Sequence, residues 1–353
     1  MAEIVLGLGA SHGPMASTPP DLWHFHGESE VHNNGFLPVP EGNRIAKPLT
    51  YEELLARANP EWAKKVNPEL YHMQWESMQK SIGEQMKILR EVNPDVVVII
   101  GDDQGELYFE DNMPKFSVYW GDTMPIIVRK VPDNASPNSK ASAWGYGDVE
   151  MDVPVDVELG RQLIRHLSDN DIDVSHTRYM KSEYGGAIGP EGYVERRKET
   201  QPRRFGMPHA YAFVVRRLMD NKPIPIVPIH QNTCYPPNQP TPRRSYEFGQ
   251  GIRAAIENWK SDKKVAIVPS GGLSHPIVDE ELDRMALDAM ERGDAEMLRT
   301  LPRHRLDSNT SETLNWVAAA GALEHLTMKT LSYDAIYRTP AGTGIGEAFT
   351  VWK

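Results

Sequence analysis

Histidine, carboxylate and amide groups gather at the ends of three short apolar runs in this sequence. His12 follows the first run in GASHGP, and His275 follows another in SGGLSHP. Between them, GDDQGE presents Asp102, Asp103, Gln104 and Glu106 directly after PDVVVII. Imidazoles and carboxylates are donors for divalent cations and also general acids and bases, so a metal site or proton-transfer chemistry is in view. Polar residues at such places also occur as ordinary loop residues. SGGLSH stands apart because Gly271-Gly272 permits a tight backbone excursion that delivers a histidine. His209, in GMPHAYAF, opens an apolar helical run and reads as a second polar group in a pocket or as a plain helix-start residue. Glu312 lies three residues after Asn309, the spacing of an N-capping box. It therefore satisfies backbone donors at a helix start or projects from the first turn into a site, and the spacing leaves both open.

These residues need a scaffold. Apolar, β-branched runs at Glu3–Leu8, Asp95–Ile100, Lys115–Trp120, Pro125–Val128, Ile172–His176, Ile224–Ile229 and Val265–Pro269 read as strands buried on both faces. Helical periods fall between them at Asn67–Glu91, Val157–Asn170, Tyr246–Lys260, Glu280–Arg292 and Ser311–Leu326. The alternation predicts an α/β fold of one domain, residues 1–353, with a central, mostly parallel sheet flanked by helices. Thr330–Tyr337 and Gly344–Trp352 read as a closing hairpin at a sheet edge. In open α/β sheets ligands bind beyond the carboxyl ends of the strands. That rule sends His12, the GDDQGE carboxylates and His275 to one rim, and it reaches His230 at the end of PIPIVPIH. Two long stretches, a loop/helix insertion at about 15–60 and the excursion Lys181–Pro208, read as lids or binding loops of the site.

Other polar residues carry weaker signals. His24, His26 and His32 sit in the first long stretch beside Trp23 and Phe25, and His166, His176, His304 and His325 read as solvent-facing. Arg243 and Arg244 follow the rigid CYPPNQPTP; a bidentate grip on a substrate carboxylate competes there with simple surface exposure.

Composition narrows the field. The 353 residues carry 38 basic and 49 acidic side chains, a net charge of −11, which argues against a nucleic-acid surface. The one cysteine, Cys234, excludes an internal disulfide and a cysteine zinc cluster, so a metal site is expected from His, carboxylate or amide groups. The apolar runs are too short to span a bilayer. MAEIVLGLGASHGP lacks the basic start and long apolar core of a signal peptide, so a cytoplasmic protein is expected.

Taken in order, GASHGP, PDVVVIIGDDQ with MPKF after it, CYPPNQPTPRRSYEFG, SGGLSH, SETLNWVAAAGAL and YRTPAGTGIG form a familiar string. It resembles the class III (type II) extradiol ring-cleavage dioxygenases, among them the catalytic subunit of protocatechuate 4,5-dioxygenase and 3-O-methylgallate dioxygenase-like enzymes. The resemblance implies a non-haem Fe(II) enzyme that cleaves a catechol with O2. It implies His12 and Glu312 as iron ligands, His275 as the acid/base histidine and His209 as a second active-site histidine. The family's other iron-binding histidine falls on Gln104. Gln104 is then the expected third ligand through its side-chain oxygen, with Asp103, Glu106, His26, His32 or His230 as replacements.

The long insertion and the absence of a small-subunit extension are similar to enzymes acting on methoxylated catechols from lignin. Trp23, Phe25 and Phe36 are then candidates to pack on the aromatic ring. The change at Gln104 keeps two other readings open: a metal-dependent hydrolase on the same scaffold, and a metal-free binding module. The set His12, His209, His275 and Glu312 argues against the module. The expected partners are a small aromatic substrate and O2, with no nucleic acid and no membrane, and a homodimer follows from the commonness of closed twofold assemblies.

Overall fold

Val96 through Ile100 are all fully buried, which a strand achieves only when both faces of its sheet are covered. A computed structural model describes every residue except 34, 37–47, 109–111, 129–130, 143–147, 179 and 181–205. Its strands are β1 (Glu3–Ala10), β2 (Val96–Gly101), β3 (Phe116–Tyr119), β4 (Thr123–Ile126), β5 (Met151–Pro154), β6 (Ser175–Thr177), β7 (Ile226–Gln231), β8 (Lys264–Pro269), β9 (Met328–Tyr337) and β10 (Gly344–Trp352). Eight of them make one sheet in the order β6-β3-β7-β2-β8-β1-β10-β9. The central strands β7, β2, β8 and β1 run parallel. Antiparallel joins appear only toward the flanks, between β3 and β7 and along β1, β10 and β9. The predicted α/β architecture is therefore the observed one, with β9 of the closing hairpin at the edge.

Helices cover both faces. Val157–Asp169 buries Leu159, Leu163 and Leu167 on one side, the stripe its spacing predicts, and Pro68–Val92 buries Met78, Ile82 and Leu89 on the other. Helices Pro242–Glu257 and Thr313–Ala322 touch through glycine. A Cβ on Gly249 would stand 1.8 Å from the Ala318 carbonyl oxygen, so only glycine lets the two backbones approach this closely. That contact fixes the helix that follows Glu312.

Two expectations need correction. In the insertion after His12, Trp23–Glu30 and Tyr51–Leu55 are helices, and Phe36 pairs with Leu49 across a bridge. Trp23 and Phe36 are spent on packing rather than offered to a substrate, while Phe25 is half-buried against His24, ring centroids 3.9 Å apart. Trp23 is fully buried against Tyr71 (5.2 Å) and Trp75 (6.5 Å), with its indole N–H donated to the Thr18 carbonyl. Phe36 packs with Leu49, Tyr51, Leu54 and Ala341. Lastly, the run at Pro125–Val128 is not in the main sheet: β4 pairs with β5, whose MDVP carries too few apolar residues to be read as a strand. Residues 181–205 of the excursion expected at Lys181–Pro208 lie outside the described residues. Among the described residues no helix is long and apolar enough to cross a membrane.

Candidate metal centre

The carboxyl ends of β1, β2, β7 and β8 open on one rim, and each delivers a polar side chain to a common point. From β1 comes His12. Its Nδ1 lies 3.0 Å from Ser270 Oγ, and that hydroxyl donates to the Ala210 carbonyl at 2.7 Å. A hydroxyl has one proton, so Ser270 accepts from His12, and Nδ1 is the protonated nitrogen. The lone pair of Nε2 then faces Glu312 Oε2 at 3.4 Å and Asp102 Oδ1 at 3.8 Å.

From β2 come four polar residues with four different fates. Asp102 is fully buried and, among the described residues, neither of its carboxylate oxygens accepts a hydrogen bond. Burial and the neighbouring Glu312 carboxylate raise its pKa. Asp103 accepts from the backbone N–H groups of Gly105, Glu106, Leu107 and Tyr108, so its oxygens are committed to shaping the loop. Gln104 donates its amide Nε2 to Glu312 Oε1 at 3.1 Å. Glu106 accepts from Nδ1 of His209 at 2.9 Å and from its backbone N–H at 3.1 Å.

His209 begins the short helix His209–Phe213, which leaves its backbone N–H free for Glu106. Its Nε2 lies 4.0 Å from Asp102 Oδ2. Burial alone would lower its pKa, but Glu106, Asp102 and Glu312 outweigh that and raise it to about 10. His209 is thus anchored through Nδ1 on Glu106, with Nε2 turned toward Asp102.

After β8, the Gly271-Gly272 turn works as its sequence predicts. A Cβ on Gly272 would lie 2.3 Å from the His275 ring, so the imidazole packs directly over the glycine. His275 Nδ1 donates to the Leu273 carbonyl at 3.1 Å, and Nε2 faces Glu312 Oε1 at 3.3 Å. Burial pulls the His275 pKa down, yet the Glu312 carboxylate more than offsets it and the net shift is upward.

Glu312 sits at the centre, fully buried. Its Oε2 accepts from the Gly272 N–H at 2.8 Å. The capping box anticipated with Asn309 does not form. Residues Ser308–Glu312 make a 3-10 turn whose first N–H is taken by Asp307, and Glu312 makes no side-chain capping bond to the helix it precedes. Asn309 instead accepts from the thiol of Cys234 at 3.4 Å. Burial would raise the pKa of Glu312, but the neighbouring His275 holds it well below the usual carboxylate range.

All five residues singled out in the sequence, His12, Gln104, His209, His275 and Glu312, therefore converge. Two more join them: Asp102, which sequence reading placed at the rim without a role, and Cys234. Donor atoms of His12, Asp102 and His209 lie within 4.8 Å of one another, and so do those of Asp102, Cys234 and Glu312. Donors sharing one divalent ion, with bonds of about 2.0–2.2 Å, stand roughly 3–3.5 Å apart. A buried carboxylate with no hydrogen bond, facing an imidazole lone pair, is costly unless a cation lies between them. The residues fit a divalent metal on those grounds.

The remaining candidates lie elsewhere or are otherwise committed. His230 is buried against the Tyr108 ring at 4.4 Å and belongs to neither donor group. His26 is buried near Arg338, and His32 is exposed. Arg243 and Arg244 pair with Glu296 and Glu247 at the surface, the plainer of their two readings.

Comparison with known proteins bears on this arrangement. Residues 60–344 match the family described as the catalytic LigB subunit of aromatic ring-opening dioxygenase. The chain belongs to this ring-opening dioxygenase family. A gallate dioxygenase from Pseudomonas putida is 47% identical over 58 residues, 16% of this chain and 17% of that protein. A 2,3-dihydroxyphenylpropionate/2,3-dihydroxicinnamic acid 1,2-dioxygenase from Photorhabdus laumondii is 26% identical over 196 residues, 56% of this chain and 47% of that protein. One of the same name from Rhodococcus globerulus is 24% identical over 204 residues, 56% of this chain and 49% of that protein. The matches thus span about half or less of each relative's length. Family membership also accords with the fold, since the matched segment contains β2 to β9 and the rim residues Asp102, His209, His275 and Glu312.

Proposed function

We propose that this protein is a non-haem Fe(II)-dependent extradiol dioxygenase that opens a catechol-type ring with O2, with methoxylated catechols such as 3-O-methylgallate as its substrate class. The observation that carries the reading is the Asp102 carboxylate, buried without a hydrogen bond and facing His12 Nε2. His12, Asp102 and Glu312 are the proposed metal donors. This replaces Gln104 as the third ligand, because Gln104 turns its amide N–H toward Glu312 and is better suited to orienting that carboxylate. Fe(II) held by these residues would supply Lewis acidity toward a vicinal diol and redox chemistry toward O2.

The protein's own groups then divide the proton work. His275 has Nδ1 fixed on Leu273, so Nε2 is the atom that takes a phenolic proton and returns it later. His209, fixed through Nδ1 by Glu106, presents Nε2 to the site, placed to hydrogen-bond negative charge that develops on the substrate. Ser270 holds the His12 ring and Glu106 the His209 ring, so neither has to reorient at the moment of reaction.

The test is direct. Protein purified anaerobically and loaded with Fe(II) is given 3-O-methylgallate, gallate and protocatechuate in an oxygen electrode. The expected result is catechol-dependent oxygen uptake with loss of the aromatic absorbance. No oxygen uptake on any catechol by protein shown to hold stoichiometric Fe(II) would overturn the proposal.

A further inference from the structure

The same rim holds a thiol that the dioxygenase reading does not use. Cys234 lies three residues beyond β7, and its Sγ is 3.9 Å from Glu312 Oε1 and 3.4 Å from Asn309 Oδ1. Together with Asp102 and Glu312 it forms a donor group whose atoms all lie within 4.8 Å of one another. An independent observation points to a cation there: Asp102, fully buried, leaves both carboxylate oxygens without a hydrogen bond. Asp102 is also a member of the group containing His12, so the two donor groups share it.

We infer that Cys234 is a latent fourth donor, which with His12, Asp102 and Glu312 closes this site around a thiophilic divalent cation of the zinc type. The inference rests on the metal centre proposed above. Its chemistry is simple: the Sγ–H bond breaks, a sulfur–metal bond forms, and the proton passes to solvent, with no change in oxidation state. One sulfur, one nitrogen and two oxygens make a complete tetrahedral set for zinc. Catalytic sites keep a position open, whereas a fully ligated zinc leaves none for a diol. Harder Fe(II) gains less from sulfur and takes the nitrogen and oxygen donors, leaving the thiol on Asn309. The lone cysteine therefore makes the site selective in an unfavourable direction: zinc captured here is held in an inactive, closed form.

Cobalt(II) reports on sulfur ligation by its colour. Metal-free, full-length protein is titrated anaerobically with Co(II), for the wild type and for Cys234→Ser, and the spectra are compared. The expected result is an intense near-ultraviolet thiolate-to-cobalt charge-transfer band in the wild type. In Cys234→Ser the band is lost while cobalt still binds. Zinc added to the cobalt-loaded wild type should abolish the band stoichiometrically. If the wild type binds cobalt with ligand-field bands alone, Cys234 is not a donor and the inference falls, while the metal centre of His12, Asp102 and Glu312 stands. If the wild type binds no cobalt, the inference and the metal centre fall together. The wild-type spectrum decides both cases even if the variant does not fold.

Discussion

Ser270 gives its only proton to the Ala210 carbonyl and so can only accept from His12 Nδ1. One hydroxyl thereby chooses the tautomer of the histidine that points its other nitrogen at Asp102 and Glu312. Ser270→Ala removes that choice without touching a proposed donor atom. Metal affinity is expected to fall by about 10–100-fold, the usual effect of losing such a partner. Isothermal titration with Fe(II) under anaerobic conditions measures it. An unchanged affinity would mean that His12 is oriented by packing alone.

Asp102 and Gln104 separate two accounts of the third ligand. Asp102→Asn should leave the protein unable to retain Fe(II) through desalting, because an amide bears no charge to balance the ion. Gln104→Ala should keep stoichiometric iron and lose turnover moderately, since Glu312 is left less firmly held. Iron analysis of both variants is sufficient, and the reverse pattern would restore Gln104 as the ligand.

Gly272 supports His275 by being absent: it has no Cβ where the imidazole lies. Gly272→Ala forces the ring off the Leu273 carbonyl, so kcat should drop toward that of His275→Ala while iron content stays full. General acid–base groups typically contribute about 10²–10⁴-fold, and that is the range expected for both variants. Loss of iron in His275→Ala would instead make His275 a ligand.

Some of this site is legible in the sequence and some is not, for physical reasons. His12 and His275 are legible because each follows an apolar run that must be a buried parallel strand, and the carboxyl ends of such strands face one rim. Asp102 and Asp103 are adjacent and chemically identical, yet one aims at His12 and the other caps four backbone amides. Only the path of the backbone after Gly101 tells them apart. Glu312 follows Asn309 at capping spacing, but the 3-10 turn at Ser308–Glu312 rotates the carboxylate inward, and no propensity encodes that turn. Asn309 accepts from the Cys234 thiol, 75 residues away in the chain, a contact no local spacing encodes. Trp23 and Phe36 look like a substrate platform in sequence and are core in three dimensions, because composition does not tell a buried aromatic from an offered one.

His26 offers a test of the packing between the insertion and the terminal hairpin. Its ring is buried on helix Trp23–Glu30, Nε2 accepts no bond, and burial followed by the nearby Arg338 lowers its pKa to about 3. The unfolded chain therefore binds more protons than the folded one between about pH 6.5 and 3. Stability from neutral His26 is present above pH 6.5 and is lost as the pH falls through that window, by about 1.4 kcal/mol per pH unit at most. His26→Gln lacks this dependence, so its deficit relative to the wild type should shrink between pH 7 and pH 5. Urea unfolding at the two pH values measures it, and parallel losses in both proteins would contradict a buried neutral ring.

The central claim is ring opening by both atoms of O2 at the His12, Asp102 and Glu312 centre. Isotope incorporation tests it most directly. The Fe(II)-loaded protein is turned over once on 3-O-methylgallate under ¹⁸O2 in unlabelled water, and the product is analysed by mass spectrometry. The account predicts a ring-opened product carrying both labelled atoms, less whatever a carboxyl or aldehyde group exchanges with water. An intact ring, or a product whose new oxygen comes only from water, would contradict it.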